Sequence, residues 1–127
     1  MDYVNLVVFV ALVEYVVFGA VVGSTRSKFG VAAPATSGHP EWERLNRIHV
    51  NTLEQLIVFI PAIYGFARYV SESWAAGIGI IFVVGRIVYF FGYRAAAGKR
   101  GPGALLSAPP SYTLLIGAII GLVRSLL

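Results

Sequence analysis

There is no cysteine in this chain. Disulfides, thiolate-ligated metals and a cysteine nucleophile are therefore excluded, and any thiol chemistry would use a thiol brought from outside. Charge is scarce too. Only 13% of the 127 residues are Asp, Glu, Lys or Arg, where a soluble domain carries about 25%. A basic start is also missing: MDYVNLVVFV carries Asp2 and neither Lys nor Arg, so it reads as a first membrane helix and not as a cleaved signal peptide. What is abundant is apolar surface, with 57% of residues hydrophobic and a mean hydropathy of +0.77. The net charge of +4 does not form a soluble basic patch. Its arginines and lysines sit between hydrophobic runs, as in the basic loops of a membrane protein, so nucleic acid is not an expected partner. No metal site is expected.

The length suits one domain, residues 1–127, of about four helices, each needing roughly 20 apolar residues. The apolar runs predict helices at about 3–24, 40–70, 73–97 and 109–127. They lack the dyad alternation of a membrane barrel, and open sheet edges are not viable in lipid. The expected fold class is all-α integral membrane, a four-transmembrane-helix bundle. Pro61 should kink the second helix. His39-Pro40-Glu41 reads as a helix start, with proline in the first turn and acids behind it. VSES, residues 70–73, allows only a tight turn. The other two connections are long and rich in Gly and Pro. They hold Arg26, Lys28, Arg44, Arg47, Arg94, Lys99 and Arg100, against Arg68 and Arg124 on the other side. That asymmetry places both long connections in the cytoplasm and both termini opposite.

Two polar stripes stand out. In ERLNRIHVNTLE, Arg44, Arg47, Asn51 and Glu54 fall on one helical face, while His49 points elsewhere. Glu43 and Arg47 would also pair along the helix as an ordinary solvated ladder. Glu54 has entered the apolar run, where a charge costs roughly 2.5–3.5 kcal/mol and is expected to face the protein interior with a partner. In GRIVYFFGYRAAAGKR, Arg86, Tyr89, Tyr93, Ala97 and Arg100 form a second stripe on the third helix. The tyrosines alone would suit an interfacial belt, and Arg86 would suit structural pairing with Glu54 or Glu14. Taken together, the stripes offer cations, a buried carboxylate, an amide and two phenols. They suit a net anionic, zwitterionic, peptide-like ligand held between helices, since the arginine fork matches carboxylates.

The run ERLNRIHVNTLE before an apolar segment resembles the signature of the MAPEG family, the membrane-associated proteins of eicosanoid and glutathione metabolism. STRSKF, PATSGHPEWER and GRIVYFFGYRAAAGKR extend the likeness from Thr25 to Arg100. They are most similar to the branch of the type 2 microsomal glutathione transferase and the cysteinyl-leukotriene synthase. The resemblance implies a homotrimer of four-helix protomers with glutathione as co-substrate, bound between protomers on the cytoplasmic side. By the same resemblance, Arg47, Asn51, Glu54, Arg86, Tyr89 and Tyr93 bind glutathione, and His49 contacts it from a neighbouring protomer. Arg100 activates the thiol, with Arg94 as the alternative, and Arg26 assists at the second substrate. Gln55 and the stretch GPGALL depart from other branches, against a tyrosine contact and an isomerase activity respectively. The activity implied is conjugation of glutathione thiolate to hydrophobic, lipid-like electrophiles, or reduction of lipid hydroperoxides, in a detoxifying role. A multi-pass protein of a bacterial inner membrane is expected. A non-catalytic lipid-binding scaffold of the same family is the alternative, and a small channel with a polar lumen is a third reading.

Overall fold

A computed structural model describes residues 1–127, apart from the side chain of Ala97, so that residue's place in the second stripe lies outside what is described. The described residues form helices and connections without a strand. The helices are α1 (Asp2–Ser24), the single turn α2 (Arg26–Phe29), α3 (Pro40–Tyr69), α4 (Glu72–Ala95) and α5 (Gly101–Leu126), with a 3₁₀ turn over Ala97–Lys99. The four long helices are each long and apolar enough to cross a membrane. Their outer faces carry Leu6, Phe9, Val13, Val16, Ile116 and Ile120, all exposed, which is the surface that lipid would cover.

Local chemistry sets the ends. The His39 imidazole accepts from the Glu41 amide at 3.2 Å, capping α3 just before Pro40, where a missing N–H costs nothing. The Ser71 hydroxyl accepts from the Trp74 amide at 3.2 Å and starts α4 after a two-residue turn. α3 runs unbroken through Pro61. The last helix corrects the expected start at 109, since α5 begins at Gly101 and contains both Pro109 and Pro110. Pro102 occupies its first turn, where proline is tolerated, and the later pair only interrupts the hydrogen-bond ladder.

α1 and α4 run side by side in the same direction. The Met1 ammonium donates to Glu72 at 2.8 Å, and Phe18 stacks on Phe90 at 4.7 Å. α3 and α5 run the other way, which gathers both long connections at one end of the bundle, here called the basic end. There the Trp42 indole donates to the Val22 carbonyl at 3.0 Å, and Arg44 Nε donates to the Arg94 carbonyl at 3.3 Å. Two apolar clusters fill the interior. One surrounds the Phe59–Phe82 stack toward the termini, and the other surrounds Trp42, Ile48 and Phe90 at the basic end. Between them lies a buried polar layer of Glu14, Thr52, Arg86 and Ser107.

α4 and α5 approach closely because glycine allows it. A Cβ on Gly85 would fall 2.7 Å from the backbone of Leu106 and Ser107, and one on Gly103 would meet the backbone of Tyr89. Small residues at such crossings replace the hydrophobic drive that lipid removes. Gly85→Ala is therefore expected to lose about 1–3 kcal/mol by overpacking. Gly77→Ala, with nothing within 4 Å of the added carbon, should be neutral or stabilising by up to about 1 kcal/mol. Thermal unfolding of the two variants in detergent checks the contrast.

Candidate functional site

The geometry of the polar layer is set by Arg86. It is 1% exposed, and its guanidinium reaches two other helices. Nη2 donates to Asn51 Oδ1 and to Thr52 Oγ1 on α3, each at 2.9 Å, and Nη1 donates to Ser107 Oγ on α5 at 3.2 Å. The two hydroxyls are themselves anchored: Thr52 donates to the Ile48 carbonyl at 2.7 Å and Ser107 to the Gly103 carbonyl at 2.8 Å. The Tyr89 ring lies 4.4 Å from the same guanidinium, within the range of a cation–π contact. Arg86 makes no ion pair with Glu54 or Glu14 among the described residues. With Oδ1 spent on Arg86, Asn51 has its amide N–H groups left to offer.

Beside this knot is a cavity of about 210 Å³ whose lining includes Arg47, Asn51, Gln55, Arg86, Tyr89 and Arg100, together with Ser107. Five of the nine expected site residues therefore meet in one hollow. Arg100 arrives by a different route from the one the sequence implies. α4 ends at Ala95, so Arg100 does not extend the α4 stripe; it precedes the first residue of α5. A tight connection brings it back, with the Lys99 carbonyl seated against Gly92 and the Arg100 guanidinium 5.8 Å from the Tyr93 ring. Arg94 instead lies over Phe90, at 5.7 Å, and does not line this cavity. Tyr93 stands next to Tyr89, with 5.5 Å between ring centroids. It lines a second hollow of about 500 Å³ with Arg44, Arg47 and Pro40. Arg47 belongs to both.

Glu54 corrects an expectation. Its side chain is 54% exposed, and its partner is the equally exposed Arg47 at 3.7 Å. It faces outward because its helical face continues from Arg47 past the α3–α4 seam, while Thr52 and Leu56 point inward. The carboxylate buried in the bundle is Glu14, on α1. His49 and Arg26 lie apart from the cavity in their own chain. His49 stacks on Tyr15 at 4.4 Å and fits against Gly19. Arg26 donates to the Ala35 carbonyl at 2.8 Å and lies 4.5 Å from the Trp42 ring, holding the first connection in place. Sequence reasoning missed Thr52 and Ser107. Both are hydroxyls in apolar runs and look like ordinary helix-bonded side chains until Arg86 is seen to need acceptors. Among the described residues no cluster of His, Cys, Asp and Glu could hold a metal.

The pattern is that of a known family. The family model described as the MAPEG family matches residues 4–120. The chain belongs to the MAPEG family. It is 40% identical over 121 residues to an uncharacterised protein of Synechocystis, covering 95% of this chain and 88% of that one. Human microsomal glutathione S-transferase 2 is 34% identical over 110 residues, covering 87% and 75%. Mouse leukotriene C4 synthase is 34% identical over 125 residues, covering 96% and 83%.

Stability should divide the two ends of the site. Asn51→Leu removes an acceptor from a buried guanidinium and is expected to cost about 1–3 kcal/mol. Arg47→Met breaks only an exposed pair, and the loss should stay within about 1 kcal/mol. Denaturation in detergent, one variant beside the other, provides the check; equal losses would contradict the assignment of Arg86 as the buried anchor.

Proposed function

We propose that this MAPEG protein is a membrane-bound glutathione transferase that conjugates hydrophobic electrophiles, with glutathione peroxidase activity on lipid hydroperoxides. The observation that supports this best is the hollow where Arg47, Asn51, Arg86, Tyr89 and Arg100 converge. Glutathione supplies a nucleophilic thiol, together with two carboxylates and an ammonium by which it is held. Arg47 offers a guanidinium fork to a carboxylate, the buried Arg86 lends its charge and holds Asn51 in place, Asn51 offers amide donors, and Glu54 offers the carboxylate that suits the ammonium. Tyr89 and Tyr93 wall the site. Arg100 stabilises the thiolate and so lowers the thiol's pKa without surrendering its own proton; each unit of lowering corresponds to about 1.4 kcal/mol. The sulfur then forms its new bond to an electrophilic carbon as the leaving group departs with its electron pair and takes up a proton from water. With a hydroperoxide, the S–O bond forms as the O–O bond breaks, and the departing alkoxide takes a proton to become the alcohol. A second glutathione thiol then displaces water from the resulting sulfenic acid to give the disulfide.

The hollow of about 210 Å³ is smaller than the roughly 300–1,000 Å³ typical of small-molecule sites. Its neighbour of about 500 Å³ adjoins it at Arg47, and Arg47 and Glu54 stand open. The reading therefore includes a homotrimer in which a neighbouring copy supplies the remaining wall, with His49 reaching a neighbour's site and Arg26 assisting at the lipid-like second substrate. The cluster of basic residues at one end supports a cytoplasm-facing site with both termini opposite; a bacterial inner membrane and a detoxifying role belong to the same proposal.

Glutathione titrated into the purified protein in detergent is expected to give a thiolate absorption band in the ultraviolet. Arg100→Ala should abolish the band while binding persists. Glu54→Gln should weaken binding by about tenfold, which is about 1.4 kcal/mol, with little change in the unfolding midpoint. Binding without a thiolate band in the unaltered protein would favour a lipid-binding scaffold of the same family. No binding at all would overturn the site.

A further inference from the structure

Glu14 has no part in the site described above, and its position is costly. It is 9% exposed in the middle of α1, and neither carboxylate oxygen has a hydrogen-bond partner among the described residues. Arg86 has the complementary deficit. Its Nη atoms bond three neutral oxygens and no anion, and its buried Nε has no partner among the described residues. A buried carboxylate without donors and a buried guanidinium without a counter-ion are each unfavourable alone.

The helix register brings the two deficits together. α1 and α4 run parallel. Near the termini end Val7 packs against Gly79, so closely that an added Cβ would come within 2.7 Å of it. Near the basic end Phe18 stacks on Phe90. The offset between partners is the same in both contacts, and Glu14 and Arg86 have that offset too. Each lies one helical turn before a member of the stacked pair, on the side that faces the other helix. Phe18 and Phe90 seal the layer on one side, and Phe82 lies on the other. Glu54 cannot take this place, since it is exposed and paired with Arg47.

We propose that Glu14 is the counter-charge of Arg86 and, through it, a positioning residue for the cavity. Glu14 engages Nε through one bridging water and so fixes the plane of the guanidinium. The same plane sets Nη2 on Asn51 Oδ1, and Asn51 forms the cavity wall. An acid on α1 thereby controls a side chain on α3 that it does not touch. The pairing stands on the register and on the two unmet groups; the consequence for the cavity rests also on the proposed glutathione site.

A double-mutant cycle on the full chain in detergent tests both parts, using Glu14→Leu, Glu14→Gln, Arg86→Met and their combinations. Without any ligand, Glu14→Leu should lower the thermal midpoint when Arg86 is present and leave or raise it in the Arg86→Met background. Additive losses would overturn the pairing. With glutathione, Glu14→Gln, which keeps shape and removes charge, should weaken affinity by about tenfold, and that effect should vanish in the Arg86→Met background. Unchanged affinity in Glu14→Gln overturns the positioning role. If the unaltered protein takes up no glutathione, the positioning role fails together with the proposed function, whereas the thermal cycle decides the pairing on its own.

Discussion

Arg86 lies 1% exposed where α3, α4 and α5 meet, and its donors have to be met by whatever those helices bring within reach. In water a guanidinium finds acceptors everywhere. In the interior of a membrane bundle it finds only those that side chains place there. Thr52 and Ser107 therefore serve as more than fillers of small volume: each accepts from an Arg86 nitrogen while donating its own hydrogen bond to a helix carbonyl one turn back. Asn51 is the third acceptor, and it stands on the cavity wall. Fixing one buried cation thus fixes the relative positions of three helices and one side of the site.

That arrangement depends on how closely the helices approach. Ser107 reaches Arg86 because Gly85 and Gly103 leave no Cβ between α4 and α5. The Tyr89 backbone lies against Gly103 for the same reason, and its ring, three residues on from Arg86 along α4, is at cation–π distance from the guanidinium. In lipid, where apolar burial between helices gains little, contact made possible by small residues and satisfied polar groups is the main source of specificity. The two apolar clusters on either side then keep the polar layer dry.

The bundle was legible in the sequence because membrane helices announce themselves by unbroken apolar length, and because His39-Pro40 and the short VSES turn mark boundaries that need no tertiary information. What the sequence hid was tertiary. Helical periodicity puts Arg100 on the α4 stripe only if α4 continues, and the chain instead turns after Ala95 and returns the arginine from the start of α5. The residue reached the same hollow by a path that spacing could not predict. Pro109-Pro110 looked like a boundary because proline breaks isolated helices, yet neighbouring helices support α5 through it. Glu54 looked buried because its sequence neighbours are apolar. A run of hydrophobic residues says nothing about which of its faces meets protein, and this face meets none in the single chain.

The exposed face of α3 poses the sharper physical question. Glu54 lies almost a full turn beyond Asn51, the partner of the buried Arg86, on an exposed face of a helix long and apolar enough to cross a membrane, where lipid would meet its carboxylate in a lone protomer. An ionised group facing hydrocarbon costs roughly 2.5–3.5 kcal/mol. A single exposed contact with Arg47 at 3.7 Å returns no more than about 1 kcal/mol. The difference has to be met by another polar surface over this face. The proposed homotrimer with glutathione at its interface would meet it twice, by replacing lipid with protein and by offering Glu54 an ammonium. The acid at position 54 would then be tolerated because of what covers it in the proposed homotrimer, whereas the acid at position 14 would be tolerated because of the cation proposed as its partner within its own chain.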